Sequence, residues 1–89
     1  MADDKEMERV LKALANKRRL SILRYVKRKK EAPVGDIAEA IRLSFRATSR
    51  HLSVLYRADV LDKEQRNVQM FYKLAIQQPI AAQRIVALL

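Results

Sequence analysis

The sequence predicts a mainly α-helical fold that carries a β-hairpin and closes with one more helix. Three observations lead there. Gly35 is the only glycine, and Pro33 and Pro79 are the only prolines, too few for the tight turns of a sandwich or barrel. Apolar residues recur at helical spacing as far as Ala58. Between Val60 and Leu74 the period falls from 3.6 to 2. A length of 89 residues argues for a single domain over 1–89 whose own core is thin.

The first predicted helix is Asp3–Leu14. Met7, Val10, Leu11 and Leu14 share a face, and Asp3 with Glu6 three residues on has the form of a cap. Asn16 is the expected N-cap of a second helix that runs to about Lys30. Its apolar stripe is Leu20, Leu23 and Val26, with Ile22 beside it. Pro33 marks a loop. A short third helix, Val34 to Ile41, turns Val34, Ile37, Ala38 and Ile41 inward. Ser44 caps a fourth helix that runs to about Ala58 and buries Ala47, Thr48, Leu52 and Leu55. Val60–Glu64 and Gln69–Leu74 read as two strands, with Met70, Tyr72 and Leu74 on one face of the second. Gln65–Val68 joins them, and Asn67 tolerates the left-handed conformation such a link needs. Pro79 opens a last helix at a first-turn position, and it extends to Leu89.

Charge and composition narrow the function. Lys and Arg number 19 against 10 Asp and Glu, a formal charge of +9 with a pI near 10.4. The absence of cysteine excludes thiolate metal sites, cysteine nucleophiles and thiol redox sensing. One glycine cannot build a phosphate-cradling GxxxxGK[ST] or GxGxxG loop. His51, the only histidine, has no partners for a zinc tetrahedron or for acid–base work. A hydrogen-bonding or packing role suits it better. No nucleophile–base pair or carboxylate dyad is evident, so no enzyme, no cofactor and no metal are expected. No stretch of about 18 apolar residues is present, and MADDKEMERV lacks the apolar core of a secretory signal. The expectation is a cytoplasmic protein with no membrane partner.

A short helix, a turn, a second helix and a two-stranded hairpin make the winged helix-turn-helix plan. The residues go further. LANKRRLSILRYV (Leu14–Val26), VGDIAEAIRLSFRATSRHLSVLYRADVL (Val34–Leu61) and MFYKL (Met70–Leu74) resemble the ArsR/SmtB family of bacterial and archaeal repressors. The resemblance covers about Val10 to Leu74, and LSxxxxSRHLxxL at Leu43–Leu55 is its most specific part. It implies a homodimeric repressor that occupies a pseudo-palindromic operator in double-stranded DNA. Two departures stand out. Ala58-Asp59 replaces the family's usual Ala-Gly, and Asn67 replaces a glycine at the wing tip. Both substitutes tolerate positive φ. The family's metal-sensing members carry Cys pairs on the third helix or Asp/His/Glu sets on the last. Here those stretches read VGDIAEAI and PIAAQRIVALL, so the metal sites do not transfer.

With Thr48, Leu52 and Leu55 turned inward, helical spacing puts Arg46, Ser49, Arg50, Ser53 and Arg57 on one outer surface. Residues 40–58 contain no acid. A merely solvated face mixes signs, and this one does not. Arginine can read guanine edges and serine can reach base or phosphate. Ser44 and Phe45 at the helix start complete the predicted DNA-binding set on the helix-turn-helix (Val34–Ala58), with Phe45 open between a thymine methyl and cover for the third helix. Lys63, Arg66 and Asn67 extend it on the wing (Val60–Leu74). The Lys27–Lys30 run stands open between phosphate contact and a field that steers association. Asp3–Leu14 and Pro79–Leu89 are the predicted dimerisation helices. The last is apolar nearly all round, and a core this small cannot bury it on every side. Met7, Val10, Ile80, Ile85, Val86, Leu88 and Leu89 are the expected interface. The function these features favour is a sequence-specific duplex-binding regulator. The alternative is a winged-helix module that turns the same surface to protein or RNA.

Overall fold

The computed structural model describes residues 3–89. The elements run α1 (Asp4–Leu14), α2 (Lys17–Lys29), β1 (Glu31–Pro33), α3 (Val34–Ile41), α4 (Phe45–Arg57), β2 (Leu61–Arg66), β3 (Gln69–Leu74) and α5 (Ile80–Ala87). The helices begin where short polar side chains satisfy backbone donors that have no intrahelical partner. Asp3 accepts the Glu6 N–H at 2.7 Å, Asn16 that of Arg19 at 3.0 Å, and Ser44 that of Ala47 at 3.1 Å. Pro79 stands just before α5. Arg42 ends α3 in the left-handed region, with φ 56° and ψ 50°, and lets Leu43 N–H return to the Ala38 carbonyl. That reversal aims α4 across α3.

The sheet has one strand more than the two expected. Its order is β1-β3-β2, antiparallel throughout. The predicted loop around Pro33 is instead a three-residue edge strand, in register with β3 from Glu31↔Lys73 to Pro33↔Phe71. Three residues are too few to show a period of two, and a proline at the end of an edge strand leaves no ladder bond unmade. Ala32 is buried against Tyr72, its register partner. The hairpin β2–β3 turns through Asn67 and Val68, with Arg66 paired to Gln69. Asn67 takes φ 54° and Asp59 φ 63°, so both positions where glycine is usual hold the left-handed geometry.

Ile22, Leu23 and Val26 from α2 meet Ile37 from α3, Leu52 and Leu55 from α4, and Val60, Leu61 and Tyr72 from the wing in one core. Val10, Ala13 and Leu14 of α1 and Ala82 and Val86 of α5 close it. Val10 is 1 % exposed and Val86 4 % exposed. Both were expected at a partner's surface and both lie inside the single chain, because α1 and α5 each turn one stripe onto the core before offering anything outward. Ile85 and Leu89 are half-buried against that core. The outward apolar residues are Leu11, Ile80 and Leu88, with Met7 half-exposed.

Candidate nucleic-acid interface

α4 is amphipathic with a sharp division. Thr48, Leu52 and Leu55 are fully buried, while Arg46, Arg50 and Arg57 are exposed and Ser49 and Ser53 half-exposed beside them. Among the described residues no carboxylate lies within ion-pair distance of those three arginines. The whole outer face of α4 is therefore cationic with no acid to offset it. Phe45 is 62 % exposed at the N-terminal end of the same face, so it does not cover α3. Ser44 spends its oxygen on the N-cap, and its O–H remains a donor.

His51 sits at the edge of the buried stripe. Its Nδ1 accepts from Arg19 Nη1 at 3.1 Å, which makes it the hydrogen-bonding histidine that its solitude suggested. Burial, then the Arg19, Arg18 and Arg50 cations, hold its pKa below the ordinary value. The imidazole is therefore neutral at pH 7, with its proton on Nε2. Arg18, also on α2, donates to the Ile41 carbonyl at 3.3 Å. Arg42 is an exposed cation in the turn between α3 and α4. Helical periodicity does not single it out, since it belongs to neither stripe.

The wing divides differently from expectation. Lys63 lies over the Tyr56 ring, 4.3 Å from its centroid, and stays exposed. Asn67 is exposed at the tip beside Val68, which is 94 % exposed. Arg66 does not belong with them. From β2 it crosses β3 to make a two-pronged bond with Glu31 on β1, the Nη2–Oε1 arm at 2.9 Å, and it bonds Glu64 at 2.9 Å. Its guanidinium lies 4.5 Å from the Phe71 centroid on the strand between. The bonds to Arg66 pull the Glu31 pKa down, and those to Glu31 and Glu64 push the Arg66 pKa up. With its donors taken by two carboxylates, Arg66 clamps the three strands instead of reaching for phosphate. Sequence patterning does not show this pair, because Glu31 is 35 residues away on a strand too short to carry a period of its own.

The basic run at the end of α2 also divides. Lys27 Nζ donates to the Val86 carbonyl at 3.0 Å and so closes the C-terminus of α5. Arg28 and Lys29 sit over Tyr25. Among the described residues no group of three or more His, Cys, Asp or Glu is placed to hold a metal ion, and no helix is long and apolar enough to cross a membrane.

Comparison with known proteins gives consistent answers. The helix-turn-helix domain family model matches residues 14–64. A possible transcriptional regulatory protein from Mycobacterium bovis is 30 % identical, with a TM-score of 0.81 over 94 % of this chain and 86 % of that one. Its solution structure is described as a homodimeric winged helix-turn-helix DNA-binding domain of a possible ArsR-family regulator, and gives a TM-score of 0.80 at 29 % identity over 99 % and 82 % of the two chains. HlyU from Vibrio cholerae is 29 % identical, with a TM-score of 0.82 over 99 % and 92 %. AntR, an antimony-specific transcriptional repressor, is 25 % identical, with a TM-score of 0.80 over 94 % and 73 %. No curated protein sequence matches.

Proposed function

The chain belongs to the helix-turn-helix family, as a winged transcriptional regulator of the ArsR type, and from that premise we propose that it is a homodimeric, sequence-specific repressor that answers to no metal. The observation that carries the DNA reading is the face of α4. Arg46, Arg50 and Arg57 stand there without a carboxylate, beside Ser49 and Ser53. In this reading the N-terminal half of α4 enters the major groove. Arg46 and Arg50, one turn apart, read base edges, with Phe45 against a thymine methyl. Ser44, Ser49, Ser53 and Arg57 hold the backbone, and Lys63 and Asn67 meet the flanking groove or phosphates.

The two-fold partner is supported by Met7, Leu11, Ile80 and Leu88. These leave apolar surface on α1 and α5, and along α1 Asp4, Met7, Glu8, Leu11, Lys12 and Ala15 line a cleft of about 380 Å³. A repressor of this kind acts by occupying a pseudo-palindromic operator, since two α4 helices related by a two-fold must read the same half-site twice. Independence from metal is supported by the donor set. With no cysteine and one histidine that already accepts from Arg19, no soft or imidazole-rich site can be assembled.

The test is selection of bound duplexes from random sequence, followed by salt titration on the winner. A dimer that contacts roughly 6–10 phosphates loses about 10³–10⁵-fold in affinity between 50 and 200 mM salt. Stoichiometric Zn²⁺ leaves that affinity unchanged. Duplex binding without base preference refutes the repressor, and a saturable one-per-chain response to Zn²⁺ refutes the metal independence.

A further inference from the structure

On the reading of α4 as the recognition helix, we propose that Arg9 and Arg19 are positioning residues that tie α1 to α4 and set the angle at which α4 meets duplex DNA. Each guanidinium bridges elements that the sequence keeps far apart. Arg9, on α1, donates through Nη1 to the carbonyl of Arg57, the last residue of α4, and through Nη2 to Asp59 Oδ2 at 3.3 Å. The last carbonyls of a helix have no donor of their own. Here one of them takes its donor from a different helix. Asp59 holds φ 63°, a conformation that costs a non-glycine residue strain. Its carboxylate is aimed at Arg9.

Arg19, at the start of α2, uses all three of its nitrogens. Nε donates to the Ala13 carbonyl and Nη2 to that of Lys12 at 3.2 Å, both in the last turn of α1, while Nη1 meets His51 Nδ1 in the middle of α4 at 3.1 Å. One planar fork thus spans α1 and α4 from a third helix. Both guanidiniums thus face acceptors within the chain, Arg9 at the end of α4 and Arg19 on α1 and α4.

These polar links lie where the apolar contact between the two helices thins out. Between α1 and the C-terminal half of α4 lies a cleft of about 400 Å³, with Ala13, Val54 and Ala58 as its apolar floor and Arg9 and Arg19 on its rim. The side chains in that contact are small, and the two arginines span it. α1 carries Met7 and Leu11, the outward residues of the proposed dimer face. A two-fold dimer has to deliver two α4 helices about 34 Å apart into successive grooves. A shift of α1 against α4 spoils that register without removing a single base contact.

The experiment compares the selected duplex with random duplex for Arg9→Ala, Asp59→Asn, the Arg9→Ala/Asp59→Asn double variant, Arg19→Ala and Arg19→Lys, with salt slope, sedimentation and melting measured on each. The expected result is a loss of selectivity of about 5- to 20-fold, with salt slope and dimer unchanged. Because Asp59 acts only through Arg9, the double variant is no worse than Arg9→Ala, while Asp59→Asn alone, which keeps the Arg57 carbonyl bond, loses less. Arg19→Lys does not restore selectivity, since an ammonium cannot bridge three acceptors on two helices.

A uniform loss on both duplexes, with the salt slope reduced by about one, makes these arginines phosphate contacts and overturns the proposal. So does a lower melting temperature with selectivity intact, which is the mark of a merely structural link. If Arg19→Ala fails to fold, the half-exposed Arg9–Asp59 pair carries the test alone. A wild-type chain without duplex selectivity overturns both this proposal and the reading of α4. A selective wild type with unaltered variants overturns the positioning role only.

Discussion

Val86 and Leu88 are two residues apart, and sequence patterning put both in the dimer interface. The structure separates them. Val86 is 4 % exposed and Leu88 81 % exposed in the single chain. Substituting each by alanine therefore tests the proposed assembly against the fold. Full burial of a leucine side chain stabilises by about 1.5–3 kcal/mol. Four-fifths of Leu88 is free to be covered by a partner, and alanine would keep a small part of the gain. The loss is about 1–1.5 kcal/mol per chain. The two-fold symmetry counts it twice, so the dimer weakens by about 2–3 kcal/mol, or roughly 30- to 150-fold in its dissociation constant. Sedimentation equilibrium across a wide concentration range reads that change. Val86→Ala removes two methyl groups from the core and costs about 2 kcal/mol of chain stability. For a domain of this size that lowers the melting temperature by roughly 8–16 °C. The contrast is the point: Leu88→Ala shifts association with little change in the melting of the monomer, and Val86→Ala shifts melting. A Leu88→Ala protein whose dimer constant stays within about threefold of wild type refutes the α1–α5 outer face as the interface.

Arg50→Ala is expected to cost about 1–3 kcal/mol on the selected duplex and to relax preference at one base position in each half-site; unchanged preference would reassign Arg50 to the phosphates. Arg66→Ala should leave the salt slope as it is, because Arg66 is bound by Glu31 and Glu64, and it should instead speed hydrogen exchange in β1. A slope lowered by about one would restore Arg66 to the DNA. His51 is a base whose folded pKa lies below its ordinary 6.5, so the stability it contributes is full above about pH 6.5 and is lost as pH falls through the lowered value. Arg18, Arg19 and Arg50 all face it and no carboxylate does; duplex selectivity should decline over the same range, and His51→Gln should flatten both profiles. Lys30 ends α2 at φ 77°, so Lys30→Gly should raise stability by about 1 kcal/mol in urea melts, and a loss would show that the lysine side chain holds something in place.

How much was legible depends on how far apart the partners are. The helices were readable because their signals are local. Caps at Asp3, Asn16 and Ser44 and the inward stripe of α4 each span a few residues, and all stand as expected. β1 was not readable, since Glu31–Pro33 has no pattern until β3 lies beside it. The interface residues were half readable for the same reason. Periodicity tells that Val10 and Met7 lie near one face of α1, but which of them the chain itself covers is decided by α5, about seventy positions on.

Arginine roles show the same limit most sharply. The absence of acids from residues 40–58 sets Arg50 apart in sequence, but nothing local shows what Arg9, Arg19 and Arg66 each hold. What separates them in space is the acceptor each one faces. Arg9 meets Asp59, and Arg66 meets Glu31 and Glu64, at separations of up to 50 residues; Arg19 meets carbonyls and a neutral imidazole. With 10 acids against 19 bases, carboxylates are the scarce partner, and those three are placed on the frame: at the end of α4, on the edge strand and at the wing. An arginine that faces an acceptor within the chain holds the frame. One that faces none, as on the outer face of α4, keeps all its donors for a polyanion. The excess of nine positive charges thus sets how strongly the domain attracts DNA. The positions of the few acids decide which arginines are left to read it.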